Sequence, residues 1–227
     1  MLPKLVARLE SHYGPQPKPL SDPWRLILWE NVAYLADDGR RRQAFDILKK
    51  NVGLKPEQIL AASDEALLEV TRHGILPKQF VKKLRDCAKI MRDEFAGNLR
   101  DVLKLPRAKA KKALRKFPGI GQWGAEKVLL FSKTHPVLAL DSNGLRVLLR
   151  LGFGEENKNY AAMYRSAQQA VAGDLPSDTE RLIATHQLLR RHGQELCRRS
   201  EPSCPLCPLA ADCRYFKRRS QANRRLQ

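Results

Sequence analysis

Four cysteines near the C-terminal end of the chain constrain its fold most. Cys197, Cys204, Cys207 and Cys213 fall within 17 residues in the spacing C-x6-C-x2-C-x5-C, with prolines at 202, 205 and 208. Four thiolates so close can enclose either Zn2+ or an iron-sulfur cube. Structural zinc commonly uses two C-x2-C knuckles separated by a longer loop. Here one C-x2-C is flanked by single outlying cysteines, which favours a [4Fe-4S] cube and leaves zinc as the alternative. The fifth cysteine, Cys87, lies in an amphipathic run and reads as a packed residue.

Charge narrows the partner. Lys and Arg number 42 against 24 Asp and Glu, a net +18. Such a surplus costs self-repulsion unless a polyanion uses it, and solubility alone needs only about +2 to +8. Nucleic acid is the first candidate. No run of about 18 apolar residues occurs, and Met1 to Gly14 lacks the apolar segment of a signal peptide. The sequence therefore predicts a soluble, intracellular, cytoplasmic protein with no membrane partner, acting as a monomer. Cysteines in a reducing compartment point to metal rather than disulfides.

The apolar pattern is helical throughout. Leu5 and Leu9 mark a first helix, and Pro15, Pro17 and Pro19 mark a linker. Asp22-Pro23 is a helix start, and WRLILWENVAYLA behind it is apolar over most of its circumference, as a buried helix is. Glu30 sits inside that helix with Leu26, Ile27, Ala33 and Tyr34 as same-face neighbours. No local cation explains it. A buried, unpaired carboxylate rises in pKa and suits a general acid; a structural glutamate with distant partners is the competing reading. Farther on, Arg72-His73-Gly74-Ile75-Leu76-Pro77 is a turn that can present Ile75 and Leu76 as a wedge for a base stack beside Lys78, Lys82 and Lys83.

The centre of the chain is ALRKFPGIGQWGAEKVLLF, which reads as helix, tight turn, helix. Gly119 and Gly121 bracket Ile120, and such glycines allow positive φ and close approach of backbone to a ligand. The amides that open the second helix, starting near Gln122, can then face a phosphate. Lys116 and the basic run before it add charge at the same place. Beyond THPVLAL, Asp141 precedes another helix, as an N-cap does. The closing stretch KRRSQANRRLQ reads as a flexible basic tail.

Taken together, the glycine turn, the downstream aspartate and the cysteine loop resemble the helix-hairpin-helix DNA glycosylases of the endonuclease III type. FPGIGQWGA stands where that family has L-P-G-V-G-x-x-x-A, and LDSNGLRV where it has V-D-T-H-x-x-R-V; the cysteine spacing is the family's own. The resemblance runs from about Asp22 to Cys213. It implies an all-α fold of two domains with a DNA groove between them: a six-helix domain over 22–132 carrying the hairpin, and a cluster domain from 1–21 and 133–227. It implies a [4Fe-4S] cluster on the four cysteines, a monovalent cation at the hairpin, and duplex DNA with a damaged or mismatched base as partner. Asp141 then stabilises the charge developing on the deoxyribose and helps position water. Glu30, in Leu28-Trp29-Glu30, echoes the W-L-S-E of adenine-mismatch enzymes and would protonate the departing base, with Trp123 and Tyr34 at the pocket. DNA contacts fall to Lys116, Gly119, Ile120, Gly121, Gln122, Ile75 and Leu76.

Two departures follow. Endonuclease III has a lysine two residues after the second hairpin glycine, and this chain has Trp123 there. Without that amine no Schiff base forms, and Lys127, about 6 Å farther along the helix, is a poor substitute. Ser142-Asn143 replaces Thr-His. The expected activity is thus monofunctional base excision, with a non-catalytic lesion-binding protein, or a lyase using another amine, as the alternatives.

Overall fold

The computed structural model describes residues 1–224. Its helices are α1 (Leu2–Tyr13), α2 (Pro23–Val32), α3 (Asp38–Ile47), α4 (Pro56–Ala61), α5 (Asp64–Thr71), α6 (Pro77–Phe95) and α7 (Arg100–Lys104). Then come α8 (Arg107–Leu114), α9 (Gln122–Phe131), α10 (Ser142–Leu151), α11 (Tyr160–Val171), α12 (Thr179–Glu195) and α13 (Arg214–Arg224). No strand occurs among the described residues. The chain divides into two compact units, Pro19–His135 on the one hand and Met1–Lys18 with Pro136–Gln227 on the other.

In the Pro19–His135 unit the centre is α2. Asp22 caps it by accepting from Arg25 N, and Pro23 sits at its first position. Leu26, Ile27, Leu28 and Val32 are buried against α3, α5, α6 and α9, which explains the nearly continuous apolar run. Each such fully buried aliphatic contributes about 2 kcal/mol. The longest helix, α6, presents Phe80, Val81, Leu84, Cys87, Ala88 and Met91 to this core.

The other unit packs α10 along α12, with α1, α11 and α13 around the pair. The segment leading to α10 is extended and buried at Val137 to Leu140, without a strand partner. Its backbone polar groups are met by side chains instead: His186 Nδ1 lies 2.7 Å from Ala139 O, Gln168 Nε2 donates to Leu138 O, and Leu140 N donates to Tyr164 Oη. These bonds fix where α10 begins. At its far end Gly152 adopts φ 100°, a left-handed cap. The basic tail differs from the sequence expectation. It is helical through Arg224, and Tyr215 at its start lies under the Arg150 guanidinium, 4.4 Å from the ring centre. Its last three residues lie outside the described residues.

Candidate functional site

The hairpin between α8 and α9 takes one demanding backbone conformation, at Gly119, with φ +80°. A Cβ there would lie 2.6 Å from Asn31 Oδ1. Asn31 is wholly buried on α2 and its Nδ2 donates to Pro118 O at 2.9 Å and to Ile27 O at 3.0 Å, so it pins the turn to the core. Gly121 is different: its backbone is extended, it is exposed, and no atom lies within 4 Å of where a Cβ would stand. Its backbone conformation therefore does not require a glycine. Gly121 is the N-cap of α9 and offers no capping side chain, which leaves the first-turn amides to another acceptor. Ile120, expected among the DNA contacts, is buried, so only its backbone can face a ligand. Lys116 is exposed and ion-paired with Glu94. On the inner side of α9, buried Glu126 is ion-paired with Lys111 of α8, which ties the two arms together.

Ile75 and Leu76 are 51% and 48% exposed, and Leu35, 67% exposed, joins them. The turn carrying them is pinned by Ile75 N donating to Tyr34 O, and Gly74 is obligatory because a Cβ would lie 2.3 Å from Tyr34 N. Leu35 and Leu76 both adopt positive φ, 54° and 57°, at a cost of about 1 kcal/mol each. The structure places Tyr34 with this surface, stacked on Phe80 at 4.8 Å under the Lys83 ammonium. Leu35 was missed from sequence, since nothing local distinguishes it from the apolar run it ends. Replacing Ile75 and Leu76 together by Ser is expected to lower lesion-selective binding about tenfold with little change in melting temperature, because neither side chain is buried. Titration of lesion and intact duplexes at one salt concentration checks this.

Glu30 meets distant partners of the kind the competing reading of the sequence expected. It has cationic partners: Lys127 Nζ donates to Oε1 at 2.7 Å, and Arg41 lies 3.4 Å from Oε2. Both come from other helices. The carboxylate thereby joins α2 to both α3 and α9. Lys127, one turn beyond half-buried Trp123, is likewise committed to that ion pair.

In the other unit Asp141 is the N-cap of α10. Its Oδ1 accepts from Gly144 N at 2.7 Å; Oδ2 accepts from Asn143 Nδ2 at 3.2 Å and lies 3.1 Å from Arg190 Nε. The carboxylate is thus held in one orientation yet remains partly exposed. Its charge, after burial, helps raise the Tyr160 phenol pKa. Asn143 Oδ1 accepts from Arg146, whose guanidinium also donates to Cys197 O and Gly193 O. A polar chain therefore runs from the acid to the cysteine loop. Arg150, on the same helix, donates to the carbonyls of Arg198 and Arg199.

The four cysteines line one recess, walled by Val147, Leu151, Leu196 and Leu209. Burial raises the Cys204 thiol, with Cys197 and Cys213 adding to the shift, and pushes Cys207 up to about 11. Four soft sulfur donors around one apolar-walled space fit a larger, multi-atom group.

Comparison with known proteins is specific. No family model matches the chain. It is 23% identical over 201 residues to an endonuclease III of Thermotoga maritima, covering 88% of this chain and 87% of the relative. It is 26% identical over 202 residues to a thymine-DNA glycosylase of Aeropyrum pernix, covering 86% and 84%. Its fold matches a solved non-covalent endonuclease III–DNA complex with TM-score 0.76 at 20% identity, over 97% of both chains. In sequence the chain is thus similar to endonuclease III and thymine-DNA glycosylase enzymes, and it shares the fold of a solved endonuclease III. Among the described residues no helix is long and apolar enough to cross a membrane.

Proposed function

We propose that this protein is a monofunctional DNA glycosylase that excises a damaged or mismatched base from duplex DNA. The observation that carries the reading is Asp141, a partly exposed carboxylate whose orientation is fixed by Gly144 N, Asn143 and Arg190. In glycosidic cleavage the C1′–N bond breaks with its electron pair going to the base, and positive charge builds on the sugar. A pre-oriented anion stabilises that charge without reorganising, and its free lone pairs can hold the water whose oxygen then bonds C1′. The hairpin amides and Lys116 bind backbone phosphate, and Leu35, Ile75 and Leu76 fill the gap left by the flipped nucleotide.

Hydrolysis rather than lyase chemistry is supported by Trp123 at the position of the family's amine, and by the engagement of Lys127 with Glu30. An ammonium in an ion pair has no lone pair for attack on C1′. Cys197, Cys204, Cys207 and Cys213 hold a [4Fe-4S] cluster that fixes the loop bearing Arg198 and Arg199.

The test is a panel of duplexes carrying uracil, thymine opposite guanine, oxidised pyrimidines, adenine opposite oxidised guanine, and alkylated or deaminated purines. The expected result is strand scission that appears only after alkali, with no adduct trapped by borohydride. A trapped adduct would establish lyase chemistry. Tight lesion binding with no product from any duplex would make this a non-catalytic binding protein.

A further inference from the structure

His192 lies on α12 at the back of the cysteine recess and is almost wholly buried. Its two ring nitrogens have different partners. Nε2 is 3.4 Å from Cys207 Sγ, and Nδ1 is 3.0 Å from the Tyr13 hydroxyl of α1. Tyr13 is in turn clamped by Arg191, which stacks on its ring at 4.8 Å and donates to its carbonyl at 3.1 Å. The backbone of His192 is also committed, since its carbonyl accepts from Cys197 N and Leu196 N. Helices α1 and α12 thus meet the cysteine loop through one imidazole.

We propose that Tyr13 and His192 form a relay that donates one hydrogen bond to the Cys207 sulfur of the iron-sulfur cluster and so raises its reduction potential. The inference rests on the cluster assignment above. Neutral imidazole has one N–H, and which nitrogen carries it depends on its neighbours. A metal-bound thiolate has no proton to give, so an attractive contact at Cys207 needs the hydrogen on Nε2. Nδ1 must then accept, and the Tyr13 phenol is the donor placed to satisfy it. The phenol therefore locks the tautomer, much as second-sphere partners orient metal-bound histidines. Leu209 N gives Cys207 a further donor at 3.4 Å. Hydrogen bonds to a cluster sulfur withdraw electron density and favour the more reduced state. Both residues are positioning groups, touching the cluster only through sulfur.

Iron content, the cluster's visible absorbance and the reduction potential of the DNA-free protein are to be measured for the wild type and three variants. His192→Leu removes the donor and is expected to lower the potential most. Tyr13→Phe frees the tautomer and is expected to shift it the same way by less. His192→Gln keeps an N–H near sulfur and is expected to fall closest to wild type. Resonance Raman of the iron–thiolate stretches should shift in Tyr13→Phe, a variant that leaves the buried imidazole in place. An iron-containing wild type whose potential and Raman spectrum are matched by Tyr13→Phe overturns the relay and leaves the cluster standing. A wild type without iron removes the cluster, and the relay with it.

Discussion

Asp141→Asn should lower single-turnover excision by about 10³-fold and leave both DNA affinity and melting temperature nearly unchanged. The substitution is selective because Asn and Asp are equivalent N-caps, so Gly144 N keeps an acceptor and α10 keeps its start. What disappears is the negative charge. Loss of the partly exposed Arg190 pair should cost no more than about 1 kcal/mol. Loss of a pre-oriented charge facing a sugar cation costs on the order of 10²–10³ in rate for one donor or acceptor, and a full anion sits at the upper end. Asp141→Asn with full turnover would falsify the assignment. If instead the variant melts well below wild type, Asp141 is structural first.

The two hairpin glycines should separate folding from binding. Gly119→Ala forces a side chain into a left-handed conformation and against Asn31, whose bonds to Pro118 O and Ile27 O would have to break. Strain of about 1–2 kcal/mol and two lost buried hydrogen bonds of about 1 kcal/mol each give a loss of about 3–4 kcal/mol, visible in urea unfolding. Gly121→Ala meets nothing within 4 Å and has an ordinary extended backbone. Its stability should hold within about 0.5 kcal/mol. Its DNA affinity should nonetheless fall at least tenfold on lesion and intact duplexes alike, because the new methyl occupies the path of a phosphate to the α9 amides. Equal DNA affinity in Gly121→Ala and wild type would remove the hairpin from the interface.

These expectations show where sequence was sufficient. Asp22 and Asp141 are legible as caps because capping is local: the acceptor and the amide it serves are three residues apart. The hairpin and the cysteine spacing are legible for the same reason. Glu30 left two readings open because its partners are remote, Arg41 on the next helix and Lys127 at 97 residues' separation. Same-helix neighbours carried no trace of either. His192 was similarly opaque, since its contact with Cys207 exists only once the loop folds back on α12. Leu35 was hidden by backbone strain, which composition does not encode, and the closing basic segment by tertiary support: its helix packs against α10, with Tyr215 under Arg150. Charge density alone reads as disorder.

The ten residues of α10 carry Asp141 at their entrance and Arg146 and Arg150 along one side toward the cysteine loop. Adding or deleting one residue there would swing everything beyond it by about 100° around the helix axis. Asp141 would then point one way and both arginines another. This helix works as a fixed ruler, and length variation between this protein and its kin should accumulate in connections such as the exposed stretch 155–159, never between the acid and its two guanidinium anchors.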